Sequence, residues 1–170
     1  MKPDLDLYTD YLLSSFGQTN ATGLARVLEG SFSHDQVTNF LNWSAHDGKA
    51  LWQVVKPLVR QIQQEHGVLI VDDSIAHKPH SELNGLVCYH YEHTSGQTVK
   101  GINFVSLLYC VGQIRLPLGM QVVEEYWQCE IKSQKQVWKA DVSKNELFRA
   151  MLKQAYQNAI PFRYVLGDSW

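Results

Sequence analysis

Apolar positions recur at close to helical spacing through the first third of the chain, then give way to runs and alternations. Leu5, Tyr8, Leu12, Leu13 and Phe16 fall near a 3.6-residue period, which predicts a helix within residues 4–16. Gly17 to Asn20 breaks that pattern, and Ala21 to Leu28 predicts a second short helix ending in a tight turn at Glu29-Gly30. A third helix is expected from Asp35 to Trp43, with Val37, Phe40 and Leu41 on one face. Ser33 and Gln36 stand at capping-box spacing before it. From Lys49 to Glu65 the residues Leu51, Trp52, Val55, Leu58, Val59 and Ile62 trace an amphipathic stripe, with Pro57 expected to kink the helix and His66-Gly67 to stop it.

The pattern then changes period. Val68-Leu69-Ile70-Val71 is an unbroken β-favouring run, suited to a strand buried on both faces, and it ends in Asp72-Asp73-Ser74. Residues 77–85 read as a polar loop, Leu86 to His93 as an alternating strand, and Thr94 to Gln97 as a hairpin turn. Thr98 to Val111 returns as a long strand in which Gly101 suggests a bulge. Ile114 to Glu124 follows as a strand made irregular by Pro117. Residues 126–142 are polar and read as a solvated surface. Ser143 caps a helix from Lys144 to Ala159 with Leu147, Met151, Leu152, Ala155 and Ala159 as its core stripe, and Phe162 to Leu166 forms a last strand before Gly167-Asp168-Ser169. Helices first, then strands with one late crossover helix, imply an α/β (mixed α+β) fold. In it the final strand lies parallel to the Val68 strand.

Composition narrows the class. The chain has 170 residues, 45% hydrophobic and 19% charged, with a formal net charge of −2. No run reaches the ~18 apolar residues of a membrane span, so no membrane partner is expected. The acidic, Pro-broken N-terminus does not resemble a signal peptide. Three widely spaced cysteines, Cys88, Cys110 and Cys129, suit reduced thiols in a cytoplasmic setting.

Two strands that each end in Asp and Ser carry the chemistry. Charge is costly in a core, so Asp72 and Asp73 are expected where the strand emerges. Parallel pairing would bring Asp168 beside them. Hard carboxylate oxygens in that arrangement suit a divalent cation, though strand-end Asp also serves turns and caps. A competing set, His77, His80, Cys88, His90 and His93, contains a His-x-x-His spacing that zinc could use. Helices two and three form a helix-turn-helix pattern, whose polar groups His34, Gln36, Thr38, Asn39 and Asn42 could meet DNA, or an ordinary helical hairpin. Lys132, Lys135 and Lys139 around Trp138 suit a phosphate backbone or a plain solvated face.

Val68-Leu-Ile-Val-Asp-Asp-Ser-Ile75, Ser81 to Gly85, Tyr89-His-Tyr-Glu-His93, Val99-Lys-Gly-Ile-Asn103 and Tyr164 to Trp170 together resemble bacterial insertion-sequence transposases with an Asp-Asp-Glu (DDE) core. The resemblance runs from about residue 10 to the end. It implies a ribonuclease H-like fold, Mg²⁺ or Mn²⁺, and cleavage with strand transfer at the terminal inverted repeats of double-stranded DNA. It assigns Asp72 and Asp168 as catalytic metal ligands, with Asp73 and Ser74 supporting them and Ser74 holding the strand-end turn. It further implies a helical DNA-binding segment over residues 1–66 and a ribonuclease H-like core over 67–170. The family's third acid, a Glu on a downstream helix, has no counterpart before Trp170. Glu124, Glu125 and Glu146 precede Asp168 and so fall out of family order. The expectation is therefore a truncated core, inactive alone and partnered by a second copy or a full-length transposase in a bacterial, nucleoid-associated setting. The alternatives are a non-catalytic DNA-binding fragment that modulates a full-length enzyme, and a small zinc-binding protein.

Overall fold

The computed structural model describes residues 3–17, 19–43, 47–129 and 136–168. Two compact units divide between Asp47 and Gly48.

The first unit holds α1 (Leu5–Ser14), α2 (Ala21–Val27) and α3 (His34–Trp43). Each begins where a side chain satisfies the free N–H groups of a first turn. Asp4 Oδ1 accepts from Leu7 N at 2.9 Å and Asn20 Oδ1 from Gly23 N at 2.7 Å. Ser33 and Gln36 make the expected reciprocal box, with Ser33 N donating to Gln36 Oε1 at 2.8 Å and Gln36 N to Ser33 Oγ at 3.3 Å. The turn between α2 and α3 passes through left-handed backbone at Glu29 (φ 51°) and Gly30 (φ 80°). Tyr11, Leu24, Phe32 and Val37 form the core of this unit.

The second unit begins with α4 (Gly48–Ile62) and continues through β1 (Val68–His77), β2 (Val87–Glu92), β3 (Gln97–Val111), β4 (Ile114–Val122), β5 (Glu125–Cys129), β6 (Gln136–Ala140), α5 (Lys144–Gln157) and β7 (Tyr164–Gly167). The boundary expected at residue 66 thus lies nearer the N-terminus, because Val55 and Val59 of α4 join the core that covers the sheet. Leu58, expected in the same stripe, is exposed. The helix runs through Pro57 rather than ending there.

Five strands form one mixed sheet in the order β2-β3-β1-β7, with β4 also paired to β3. β1 and β3 are antiparallel over ten residue pairs, and β1 and β7 are parallel, as expected. Strand alternation sends Leu69, Val71, Val105, Leu107 and Tyr109 to one face, where they pack with Val55, Val59, Met151 and Ala155 of α4 and α5. Their neighbours Ile70, Ile102, Phe104 and Leu108 point the other way and are only half-buried. Among the described residues, the apolar part of β1 is therefore buried on one face and only half-buried on the other.

Tyr109 fixes how β1 and β7 begin. Its buried hydroxyl accepts from Gln64 N (3.1 Å) and has the carbonyls of Pro161 (2.9 Å) and Gln64 (3.2 Å) within reach of its single proton, groups in the turns that lead into β7 and β1. Arg163 N donates to Gly67 O at 2.7 Å, which joins the same turns directly. A Cβ on Gly67 would collide with the Tyr109 ring, so the glycine serves close approach. Gly101 acts similarly: a side chain there would meet the Ala76 carbonyl, and the position is paired on both sides without a bulge. The register shift lies instead between Leu107 and Leu108, opposite the Pro117–Gly119 stretch of β4.

Candidate active site

The last parallel pair of β1 and β7 is Val71 with Gly167. Asp72 follows Val71 within β1, and Asp168 follows Gly167 just past the end of β7, so the register, continued by one residue, points to neighbouring positions for the two carboxylates. Adjacent strands lie about 4.8 Å apart, within reach of a shared cation. Both aspartates are exposed. Asp72 does not sit at the end of its own strand, however, because β1 continues to His77 against β3. What ends there is the parallel neighbour, and among the described residues the edge of β1 beyond Val71 has no strand partner on that side, which makes a notch beside β1. Ser74, expected to hold a strand-end turn, is an exposed strand residue on the Asp72 face.

Asp73 points to the opposite face. It lies among the helix-covered positions and forms an ion pair with Nζ of Lys144, the first residue of α5. The two adjacent carboxylates therefore have separate surroundings. Nothing in the pattern singled out Lys144; the available signal was a cation in the first turn of a helix, where the helix dipole disfavours it. Glu146, the acid that suits that turn, closes a capping box with Ser143, and its hydrogen bonds from the Ser143 side chain and backbone hold its carboxyl below the usual range.

On the same face as Asp72, β3 places Ser106 directly across, with its hydroxyl 3.4 Å from the Asp72 carbonyl. A cleft of about 560 Å³ between α4 and α5, floored by Leu107 and Met151, opens on the helix-covered side. It is separate from the aspartate notch.

The histidine and cysteine set does not converge. His77 Nε2 lies 2.7 Å from Glu92 Oε1, and that contact, with a Ser95 hydrogen bond as the larger cause, lowers the Glu92 pKa. His90 is buried with Nδ1 3.5 Å from Glu125 Oε1 and Nε2 3.2 Å from the Gly101 carbonyl. Burial first, and then the Glu125 charge, pushes the Cys88 thiol beside it up to about 11. Among the described residues no three His, Cys, Asp or Glu side chains form a metal cage.

In α3, His34, Gln36, Asn39 and Asn42 are exposed, and Thr38 is half-buried with its hydroxyl on the His34 carbonyl at 2.9 Å. The Gln36 amide is taken up by the capping box, and His34 Nε2 lies 3.3 Å from Asp35. Lys139 is exposed on β6, while Lys132 and Lys135 lie outside the described residues. β5 and β6 form a separate two-stranded sheet within a stretch that the pattern reads as featureless surface.

A family model described as DDE superfamily endonuclease matches residues 1–170. The chain belongs to the DDE superfamily endonucleases. No curated protein and no solved structure matches it. The mixed sheet flanked by helices agrees with the ribonuclease H-like fold of DDE domains, DNA is the substrate class that membership implies, and members generally use divalent metal ions. Asp72 and Asp168 carry hard carboxylate oxygens at adjoining register positions. Such a pair fits a cation that retains several waters better than one needing a full protein cage. Among the described residues no helix is long and apolar enough to cross a membrane.

Proposed function

We propose that the protein is a transposase-type DDE endonuclease acting at the terminal inverted repeats of an insertion sequence, with Asp72 and Asp168 as ligands of Mg²⁺ or Mn²⁺. The observation that supports this reading is the Val71–Gly167 pair, because the residues that follow it on the two segments are Asp72 and Asp168. A cation held there would polarise a phosphodiester oxygen and lower the pKa of bound water. Asp73, tied to Lys144, supports the strand from the far side. Ser74 stands beside the notch, two residues along the same face. Residues of α3, with Asn39 and Asn42 foremost, meet duplex DNA, and Lys132, Lys135 and Lys139 add backbone contacts.

Two carboxylates hold a divalent ion weakly. Glu125 is engaged with His90 and Glu146 with Ser143, and among the described residues no third acid joins the pair. The 170-residue chain alone is therefore expected not to transpose, and to act with a full-length transposase or a second copy. Incubation of the purified protein with inverted-repeat DNA and Mn²⁺ tests this. Efficient nicking that Asp72→Asn abolishes would overturn the inactivity, and nicking untouched by Asp72→Asn or Asp168→Asn would overturn the site.

A second reading is a DNA-binding modulator without catalysis, favoured by the exposed polar row of α3. Salt-sensitive binding to element ends without any metal response supports it.

A further inference from the structure

The β2–β3 hairpin has one face docked and one bare. Cys88 and His90 point inward and are buried, and Glu125 joins this side through His90 and through Glu125 N donating to the Gly85 carbonyl at 2.8 Å. Antiparallel strands covered on one face ordinarily carry polar residues on the other. Here the outward positions are Tyr89 and Tyr91, 56% and 57% exposed. The Tyr91 ring meets His93 edge-on at 5.0 Å.

The surroundings are basic. Lys100 lies directly across from Tyr89, and Thr98 across from Tyr91. Lys78 N donates to the Lys100 carbonyl at 2.8 Å, which brings a second lysine to the same end of the sheet. The nearest acid on β2, Glu92, points to the other face and is paired with His77. Residues two apart on a strand are spaced by about 6.8 Å, twice the roughly 3.4 Å rise of stacked bases, so the two tyrosine positions leave room for one base between them. Lys100, Ile102, Phe104 and Ser106 alternate along one face of β3, and Ser106 faces Asp72. Six residues of strand separate Lys100 from Ser106, a span of about 20 Å.

We propose that the outer face of the β2–β3 hairpin binds unpaired DNA bases by stacking on Tyr89 and Tyr91, with Lys78 and Lys100 holding the phosphates, so that the strand continues along β3 to the Asp72–Asp168 notch. Bases in a duplex already have their faces covered, so this surface selects single-stranded ends over paired DNA. The inference rests on the reading that DNA is cut or joined at that notch.

The test is fluorescence anisotropy of the 170-residue chain with labelled dT12 and with a blunt duplex, in EDTA. Tyr89→Ala/Tyr91→Ala is expected to weaken dT12 binding by at least about tenfold. Tyr89→Phe/Tyr91→Phe, which keeps the rings, is expected to stay within about twofold, with duplex binding unchanged in both. Both positions are exposed, and circular dichroism of each variant checks that the fold is intact. Binding of dT12 by the alanine variant equal to the wild type would overturn the proposal and leave the tyrosines as a protein-docking face. An equal loss on duplex DNA would also overturn it. A separate Mn²⁺ titration of the same proteins reports on Asp72 and Asp168. Absence of Mn²⁺ binding would remove the notch reading while the anisotropy result in EDTA stood independently.

Discussion

Asp73 and Lys144 form an ion pair across 71 residues of sequence, joining the middle of β1 to the first turn of α5. Strand alternation leaves Asp72 facing the other way. Two adjacent aspartates thus acquire different surroundings: one holds a helix against the sheet, and the other is exposed on the opposite face. The helix so held leads into β7, so the pair also stabilises the connection that delivers Asp168.

Removing that pair should cost stability without touching the notch. Both side chains are about a quarter exposed, so Lys144→Ala is expected to destabilise the fold by about 1–2 kcal/mol, between surface and buried ion pairs. Urea unfolding measures this. A loss below a few tenths of a kcal/mol would show that the contact contributes nothing to holding α5.

Tyr109 should be the more costly hydroxyl. Tyr109→Phe leaves the Gln64 N–H and the carbonyls of Pro161 and Gln64 without their hydroxyl partner in a buried site, and about 1–3 kcal/mol of stability should be lost. Gly67→Ala, which forces a methyl against the ring, should be at least as damaging. Denaturant midpoints of the two variants check both values, and a neutral Gly67→Ala would contradict the close packing described.

Cys88 should make the fold sensitive to alkali. Its pKa is raised to about 11 from an ordinary 9, so the unfolded chain releases the thiol proton first as pH rises. The contribution is complete below pH 9 and is lost between about pH 9 and 11. Its size is on the order of 2 kcal/mol. Cys88→Ala should flatten that part of the pH–stability curve, and an identical decline in the variant would assign it to other groups.

The parts of the fold that were readable from sequence are those set by neighbours in the chain. Ser33 with Gln36 and Ser143 with Glu146 announce helix starts because both partners lie within one turn. The Val68–Val71 run and the crossover helix before Tyr164 suffice for the parallel pair. An amphipathic stripe does not say what it packs against, which is why α4 reads as part of the N-terminal segment until Val55 and Val59 are seen in the sheet core. Residues 125–129 and 136–140 form a two-stranded sheet of their own, and such short strands leave little periodicity to read. The Asp-Ser pair at residues 72–74 reads as a strand end, yet β1 runs on to His77, because pairing with β3 extends it. Lys144 was not legible either, because a partner 71 residues away leaves no local trace.

Mn²⁺ binding followed by paramagnetic broadening of the protein's NMR signals tests the central claim most directly. Asp72→Asn or Asp168→Asn is expected to weaken binding at least about tenfold, since each removes one of two charged ligands. Asp73→Asn is expected to leave affinity within about twofold, and broadening should centre on Val71 and Gly167. Loss of the ion in Asp73→Asn with Asp72→Asn unaffected would place the metal on the Lys144 side of the sheet and contradict the account.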